Sequence, residues 1–208
     1  VMQENRFDQA THTYYMNGKP VPGVTEIIHS VLGNPYKGID PSHCEWYMQR
    51  GTAIHACCAL IARGVEFTYD SRIEGQVSAC RKFFEDYNPE PIEIETPHYS
   101  NTFGYAGTPD LVCRINGRRV VIDYKGSLTP EIELQLGGYG ELVDCNYGIG
   151  VQLKADGSYQ PTDLFDLRKA RREFLHLLTA YRWLKRLGRL ERHRPAHQTK
   201  QEVACQKH

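Results

Sequence analysis

The sequence predicts a mixed α/β fold of α+β-like order, with a central mixed, mostly antiparallel sheet flanked by helices. Two observations carry this. Apolar residues recur at helical spacing in Ile73, Val77, Cys80 and Phe84, and again in Leu167, Ala170, Phe174, Leu177, Leu178, Tyr181 and Leu184. Between them lie runs rich in β-branched residues punctuated by turn signals. The strongest is Asn116-Gly117, which separates residues 105–115 from 118–125. Helices, then strands, then a strand–helix finish read as one layered domain over residues 1–190.

Each element has its own signal. Residues 13–21 contain a second Asn-Gly turn, Asn17-Gly18, and read as an N-terminal hairpin; a helix then starts near Thr25, which suits an N-cap. Residues 33–41 read as a loop. Ser42 and Glu45 have capping-box spacing, and the helix they open runs to Gly64, with Gly51 a point where it would break in two. A further helix covers 72–87 and ends at Asn88-Pro-Glu-Pro91. Residues 92–96 then alternate as a strand with Glu93 and Glu95 on one face. Beyond the central hairpin, Thr129-Pro130 starts a helix to Val143, on which Gln135 and Tyr139 are i, i+4 neighbours. Strands over 147–153 and 159–165 follow, and Asp166 caps a long last helix. Residues 191–208 are polar and basic and read as a flexible tail.

Lys and Arg number 25 and Asp and Glu 25, so no net field demands a polyanionic partner. The distribution is uneven, however. Basic residues crowd 168–194 against only Glu173 and Glu191, while acids concentrate between Glu66 and Glu141. Seven cysteines without a CxxC pair argue against a disulfide framework, a zinc ribbon or an Fe–S cluster, and for a reducing, cytoplasmic setting. No run resembles a signal peptide or approaches the ~20 apolar residues of a membrane span.

The central hairpin carries the chemistry. If Asn116 and Gly117 form the turn, Ile115 faces Arg118 and Asp110 faces Asp123, with Lys125 on the same face as Asp123. Like charges directly opposite, with Cβ atoms roughly 4.5–5.5 Å apart, are destabilising. The neighbouring Leu111, Val112, Ile115, Val120, Val121 and Ile122 mark these strands as buried, where a bare acid pair is costly. A divalent cation between the carboxylates would remove the repulsion. The residues alone leave a second reading open, in which both acids are solvated at strand ends and Lys125 pairs with one of them. A bulge in either strand would undo the register.

Around this hairpin stand Arg50-Gly-Thr-Ala-Ile-His55, the acid Glu95, Gly104-Tyr-Ala-Gly-Thr-Pro-Asp110, Ile122-Asp-Tyr-Lys125 and Gln135-Leu-Gly-Gly-Tyr139, preceded by Tyr15, Asn17-Gly18 and Val21-Pro-Gly-Val-Thr25. In this order and spacing they resemble the PD-(D/E)xK nuclease superfamily in its RecB-like exonuclease branch, especially the small phage and prophage forms, over residues 14–143. The resemblance implies a restriction-endonuclease-like nuclease core. It implies a metal-dependent DNA exonuclease that hydrolyses phosphodiester bonds from a DNA end in phage-type recombination, replication or repair.

Position by position, the resemblance makes Asp110, Asp123, Lys125 and Glu95 the catalytic set. Asp110, Asp123, His55, Glu95 and the Tyr124 backbone carbonyl would hold one or two Mg²⁺ or Mn²⁺ ions, and Lys125 would orient or activate the attacking water. Glu95 is preferred over Glu93 for its spacing to Gly104. Gln135, Tyr139 and Arg50 would position the nucleic-acid backbone, with Arg168, Arg171 and Arg172 as a phosphate track. The implied partner is DNA, single-stranded or with a free end. A recombinase or single-strand-binding protein and a homo-oligomer are further partners it admits; no Fe–S cluster and no membrane are expected. Relatives carry Thr or Ser after the lysine, where this chain has Gly126 and then Ser127. The competing readings are a structure-specific or restriction-type endonuclease on the same fold and a catalytically silent DNA-binding subunit.

Overall fold

The computed structural model describes residues 5–33 and 40–190. The tail expected over 191–208 and most of the loop expected over 33–41 lie outside the described residues. The chain opens with β1 (Arg6–Asp8), β2 (Thr13–Met16) and β3 (Lys19–Val21), an antiparallel three-stranded sheet. Its second turn is Asn17-Gly18, with φ of 50° and 75°, the left-handed pair that a type I′ turn requires. In α1 (Val24–Leu32) the N-cap is Gly23 rather than the expected Thr25. Thr25 sits inside the first turn, and its hydroxyl accepts a long hydrogen bond from Gln135 Nε2 at 3.5 Å.

The next helix, α2 (Pro41–Ala62), runs unbroken through Gly51, where the sequence suggested an interruption. One interior glycine costs only about 1 kcal/mol relative to alanine, too little to break a helix of this length. Gly64, at φ 66°, lies just beyond its end. A single 3-10 turn (Ser71–Ile73) leads into α3 (Glu74–Tyr87). On α3 it is Phe83, not Phe84, that is fully buried.

The remaining elements are β4 (Glu90–Ile94), β5 (His98–Ser100), β6 (Tyr105–Gly107), β7 (Leu111–Ile115), β8 (Arg118–Lys125), α4 (Glu131–Leu142), β9 (Tyr147–Leu153), β10 (Tyr159–Pro161), β11 (Phe165–Asp166) and α5 (Leu167–Arg186). The main sheet has the order β10-β9-β8-β7-β4, with β11 also paired to β9. Every pair is antiparallel except β8–β9, which is parallel and joined across α4. This is the mixed, mostly antiparallel sheet that the sequence predicts. The strand expected over 159–165 is two short pieces, because Thr162 leaves the ladder to bond Gly150 through both its backbone and its hydroxyl.

The register of β7–β8 follows from Asn116-Gly117, with Ile115 opposite Arg118 and Leu111 opposite Ile122. Alternation then divides the sheet between two cores. Val112 and Val121 face α1, α4 and α5, whose contribution includes Leu136, Phe174 and Leu178. Leu111, Cys113, Val120, Ile122 and Tyr124 face α2 and α3 with Cys58, Cys80 and Phe83. On the first side α4 and α5 pack closely because α4 carries glycines. A Cβ on Gly137 would lie 2.6 Å from the Ala170 backbone, and one on Gly138 would lie 2.8 Å from the Phe174 ring. That closeness sets the position of Gln135 and Tyr139 against the sheet.

Candidate active site

The functional side chains gather at one end of the β7–β8 pair, where β7 begins and β8 ends. Asp110 immediately precedes β7. Its Oδ2 accepts the Tyr124 N–H at 2.7 Å, and its Oδ1 lies 2.9 Å from His55 Nδ1 on α2. The backbone at Tyr124 therefore faces Asp110. Asp123 is buried on β8. Its Oδ2 is 2.7 Å from Lys125 Nζ, and its Oδ1 accepts a hydrogen bond from Gln135 Nε2 at 3.2 Å. Gln135 also donates to the Tyr139 hydroxyl at 3.1 Å, one turn along α4.

Glu95 reaches the site by a route that alternation does not foresee. The register of β4 against β7 shifts between Pro91 and Glu93, and Glu95 adopts a left-handed backbone at φ 46°. Its N–H donates to the Asp110 carbonyl at 3.1 Å, which fixes it beside that residue. Glu93 and Glu95 therefore do not act on one face as the sequence suggested. Glu93 instead bridges His98 Nε2 at 2.5 Å and Arg119 at 3.0 Å.

His55, Glu95 and Asp110 each offer one ligand atom, and these atoms lie within 4.8 Å of one another. One imidazole nitrogen and two carboxylate oxygens converging in this way could hold a divalent cation. Asp123 stands outside that trio. Asp110, Asp123 and His55, with Gln135 and Tyr139, line a pocket of about 250 Å³. His12, Tyr14, Thr25, Glu26 and Thr108 line the same pocket.

The electrostatics separate the two aspartates. Burial pushes Asp110 up, but His55, Lys125 and the Tyr124 N–H together outweigh it and hold the carboxyl below its ordinary value. Burial raises Asp123 to about 6 despite Lys125, with Asp110 adding to the rise. Asp110 lifts His55 to about 9 against the opposing effect of burial, so the imidazole is protonated at neutral pH. Glu95 is raised by burial and by Asp110. Three acids, one imidazolium and one ammonium thus share a largely buried site, and small shifts in position change their protonation.

No family model matches the chain, and no curated protein matches it. Among solved structures, LHK-Exo, an alkaline exonuclease from Laribacter hongkongensis, aligns with a TM-score of 0.37 and 16% identity over 61% of this chain and 78% of that one. The same protein in complex with dAMP aligns at 0.39 and 16% over 81% and 93%. The structure of SSO0001 aligns at 0.38 and 18% over 53% of this chain, which spans 56% of that chain's length.

The basic residues proposed from sequence are not brought to the pocket. Arg168 pairs with Asp166 at the start of α5. Arg171 donates to Glu141 at 2.8 Å and to Asn146 at 2.9 Å. Arg168 is thus paired with an acid two residues before it, and Arg171 with one thirty positions back. Arg172 is exposed on α5 and outside the pocket lining, and Arg50 lies on α2 with its guanidinium 5.4 Å from the centre of the Trp46 ring. Sequence reasoning missed His12, Tyr14, Glu26 and Thr108 as pocket residues. Thr108 lay inside the stretch ending at Asp110, and its hydroxyl meets the Tyr14 hydroxyl at 2.9 Å. Among the described residues, no helix is long and apolar enough to cross a membrane.

Proposed function

We propose that the chain is a Mg²⁺- or Mn²⁺-dependent deoxyribonuclease of the PD-(D/E)xK type, RecB-like branch, which hydrolyses phosphodiester bonds from a DNA end. The observation that carries this is the convergence of the His55, Glu95 and Asp110 ligand atoms within 4.8 Å beside the Asp123–Lys125 pair. The exonucleolytic part of the reading rests on the order of motifs.

His55, Glu95 and Asp110 would hold a divalent cation, with Asp123 and the Tyr124 carbonyl completing the set. When bound there, such an ion supplies Lewis acidity and an activated water near neutral pH. The protein does the rest. Gln135 holds Asp123 Oδ1 in orientation, as the outer partners of metal-binding carboxylates do. Lys125, kept on the Asp123 side of the sheet, is placed to orient water and to offset charge on the phosphate. Tyr139 and Gln135, buried in the pocket wall, border the space a sugar–phosphate backbone would enter.

The test is digestion of linear single- and double-stranded DNA, labelled and blocked at each end in turn, alongside a covalently closed circle. Expected are release of mononucleotides or short products from linear DNA with Mg²⁺ or Mn²⁺, none in EDTA, none by Asp123→Ala, and an intact circle. Cleavage that persists in EDTA or in Asp123→Ala overturns the reading. A cut circle makes the protein an endonuclease, and binding without cleavage makes it a silent subunit.

A further inference from the structure

His12, in the turn between β1 and β2, lines the same pocket as the acids, and the proposed hydrolysis does not use it. His12 ends that turn with φ 50°, a left-handed backbone that, outside glycine, Asn, Asp and His adopt most often. The turn is preorganised, because Asp8 Oδ1 accepts the N–H groups of Ala10 at 3.1 Å and Thr11 at 3.2 Å. Behind the imidazole the rings are stacked in series. Phe7 lies edge-on to His12 at 5.1 Å and nearly parallel to Tyr14 at 4.6 Å, and Tyr14 is anchored by its hydroxyl to Thr108, two residues before Asp110. Among the described residues no hydrogen bond holds either ring nitrogen of His12. The residue is exposed, yet the protein around its ring removes enough water to lower its pKa below the ordinary value. A neutral, exposed aromatic ring thus borders the same pocket as Asp110 and Asp123.

We propose that His12, backed by Phe7 and Tyr14, is a nucleobase platform: the base of the nucleotide adjoining the scissile phosphate stacks on its imidazole and so positions that phosphate over the acids. This deepens the nuclease reading and rests on it. A flat ring accepts any base by its π-face, so the platform gives grip without sequence preference. The two unpartnered ring nitrogens could in addition meet a base edge. His12 is on this account a positioning residue and takes no part in proton transfer.

The experiment compares the parent with His12→Asn, which suits the left-handed backbone but removes the ring, and His12→Phe, which keeps a ring. Each is given Mn²⁺ and end-labelled single strands that carry either ordinary nucleotides or three abasic residues at either end. Thermal melts establish that all three are folded. On ordinary DNA, His12→Asn should lose about tenfold in kcat/KM, the size expected of one base–aromatic stack, while His12→Phe stays within about twofold of the parent. On the abasic strands His12→Asn and the parent should be equal. An equal loss on both substrates, or no loss on either, overturns the platform and leaves the nuclease reading standing. A parent that cuts neither substrate overturns both.

Discussion

Replacing Asp123 by Asn should abolish cleavage and, in the metal-free protein at pH 8, make the fold more stable. Asp123 is only 3% exposed on its side chain, and burial raises its pKa to about 6 from an ordinary value near 3.8. The folded state therefore favours the protonated carboxyl. Its contribution to stability is fully present below pH 3.8 and is lost as pH climbs through 6. A shift of about two units corresponds to about 3 kcal/mol of folding free energy forgone above pH 6. Asparagine keeps the shape and cannot ionise. Lys125, which loses the Asp123 carboxylate, is 30% exposed and can turn to water. For a chain of this size, 1 kcal/mol corresponds to roughly 2–4 °C, so the expected gain in Tm at pH 8 is roughly 6–12 °C.

The assay is thermal unfolding of parent and variant in EDTA from pH 4 to 8, followed by circular dichroism. The variant's advantage should be largest at pH 8 and fall toward zero by pH 4, where both side chains are neutral. Adding Mn²⁺ at pH 8 should narrow the gap, because only the parent keeps a carboxylate to share with the ion. A variant as stable as the parent or less so at pH 8, or an advantage that does not change with pH, would refute the reasoning.

Three further outcomes follow from the same geometry. Glu95→Gln should lose cleavage and weaken Mn²⁺ binding measured by calorimetry, whereas Glu93→Gln, whose partners are His98 and Arg119, should leave both unchanged and cost at most about 1 kcal/mol in urea unfolding. Because His55 is raised to about 9 and must shed its proton to ligate, Mn²⁺ affinity should rise by about tenfold per pH unit between 7 and 9 and then level off, with protons released on binding; a flat profile over that interval excludes His55 as a ligand. Gly137→Ala should destabilise the fold by roughly 1–3 kcal/mol in urea, since the added methyl would meet the Ala170 backbone at 2.6 Å, and a neutral result would show that α4 and α5 can separate freely.

The parts of this molecule that were legible in the sequence are those whose cause is local. Asn116-Gly117 fixes a two-residue turn, and the turn fixes which residues of β7 and β8 face each other. Period-2 alternation then places Asp123 and Lys125 together. The parts that were not legible depend on backbone irregularity or on distant partners. Glu95 and Glu93 part company through a register shift and a left-handed residue, neither of which a periodic pattern encodes. Arg171 finds Glu141, thirty positions back in the chain, only because glycines let α4 approach α5. His12 carried no signal at all: a histidine in a turn reads as solvent-exposed until the fold sets that turn against the pocket.

The contrast between the two aspartates bears on how tightly the site would grip a cation. Asp110 is ionised at neutral pH because an imidazolium and a backbone N–H already surround it, so a metal arriving there must displace the proton of His55. Asp123 is held near the edge of neutrality by its burial, so a metal arriving there relieves a cost that folding has already incurred. The first effect weakens binding as pH falls. The second favours it, because a cation that neutralises Asp123 removes the cost of burying its charge. The carboxylates are thus unequally compensated: Asp110 already has partners that hold its charge, whereas the buried Asp123 gains most from an added positive charge.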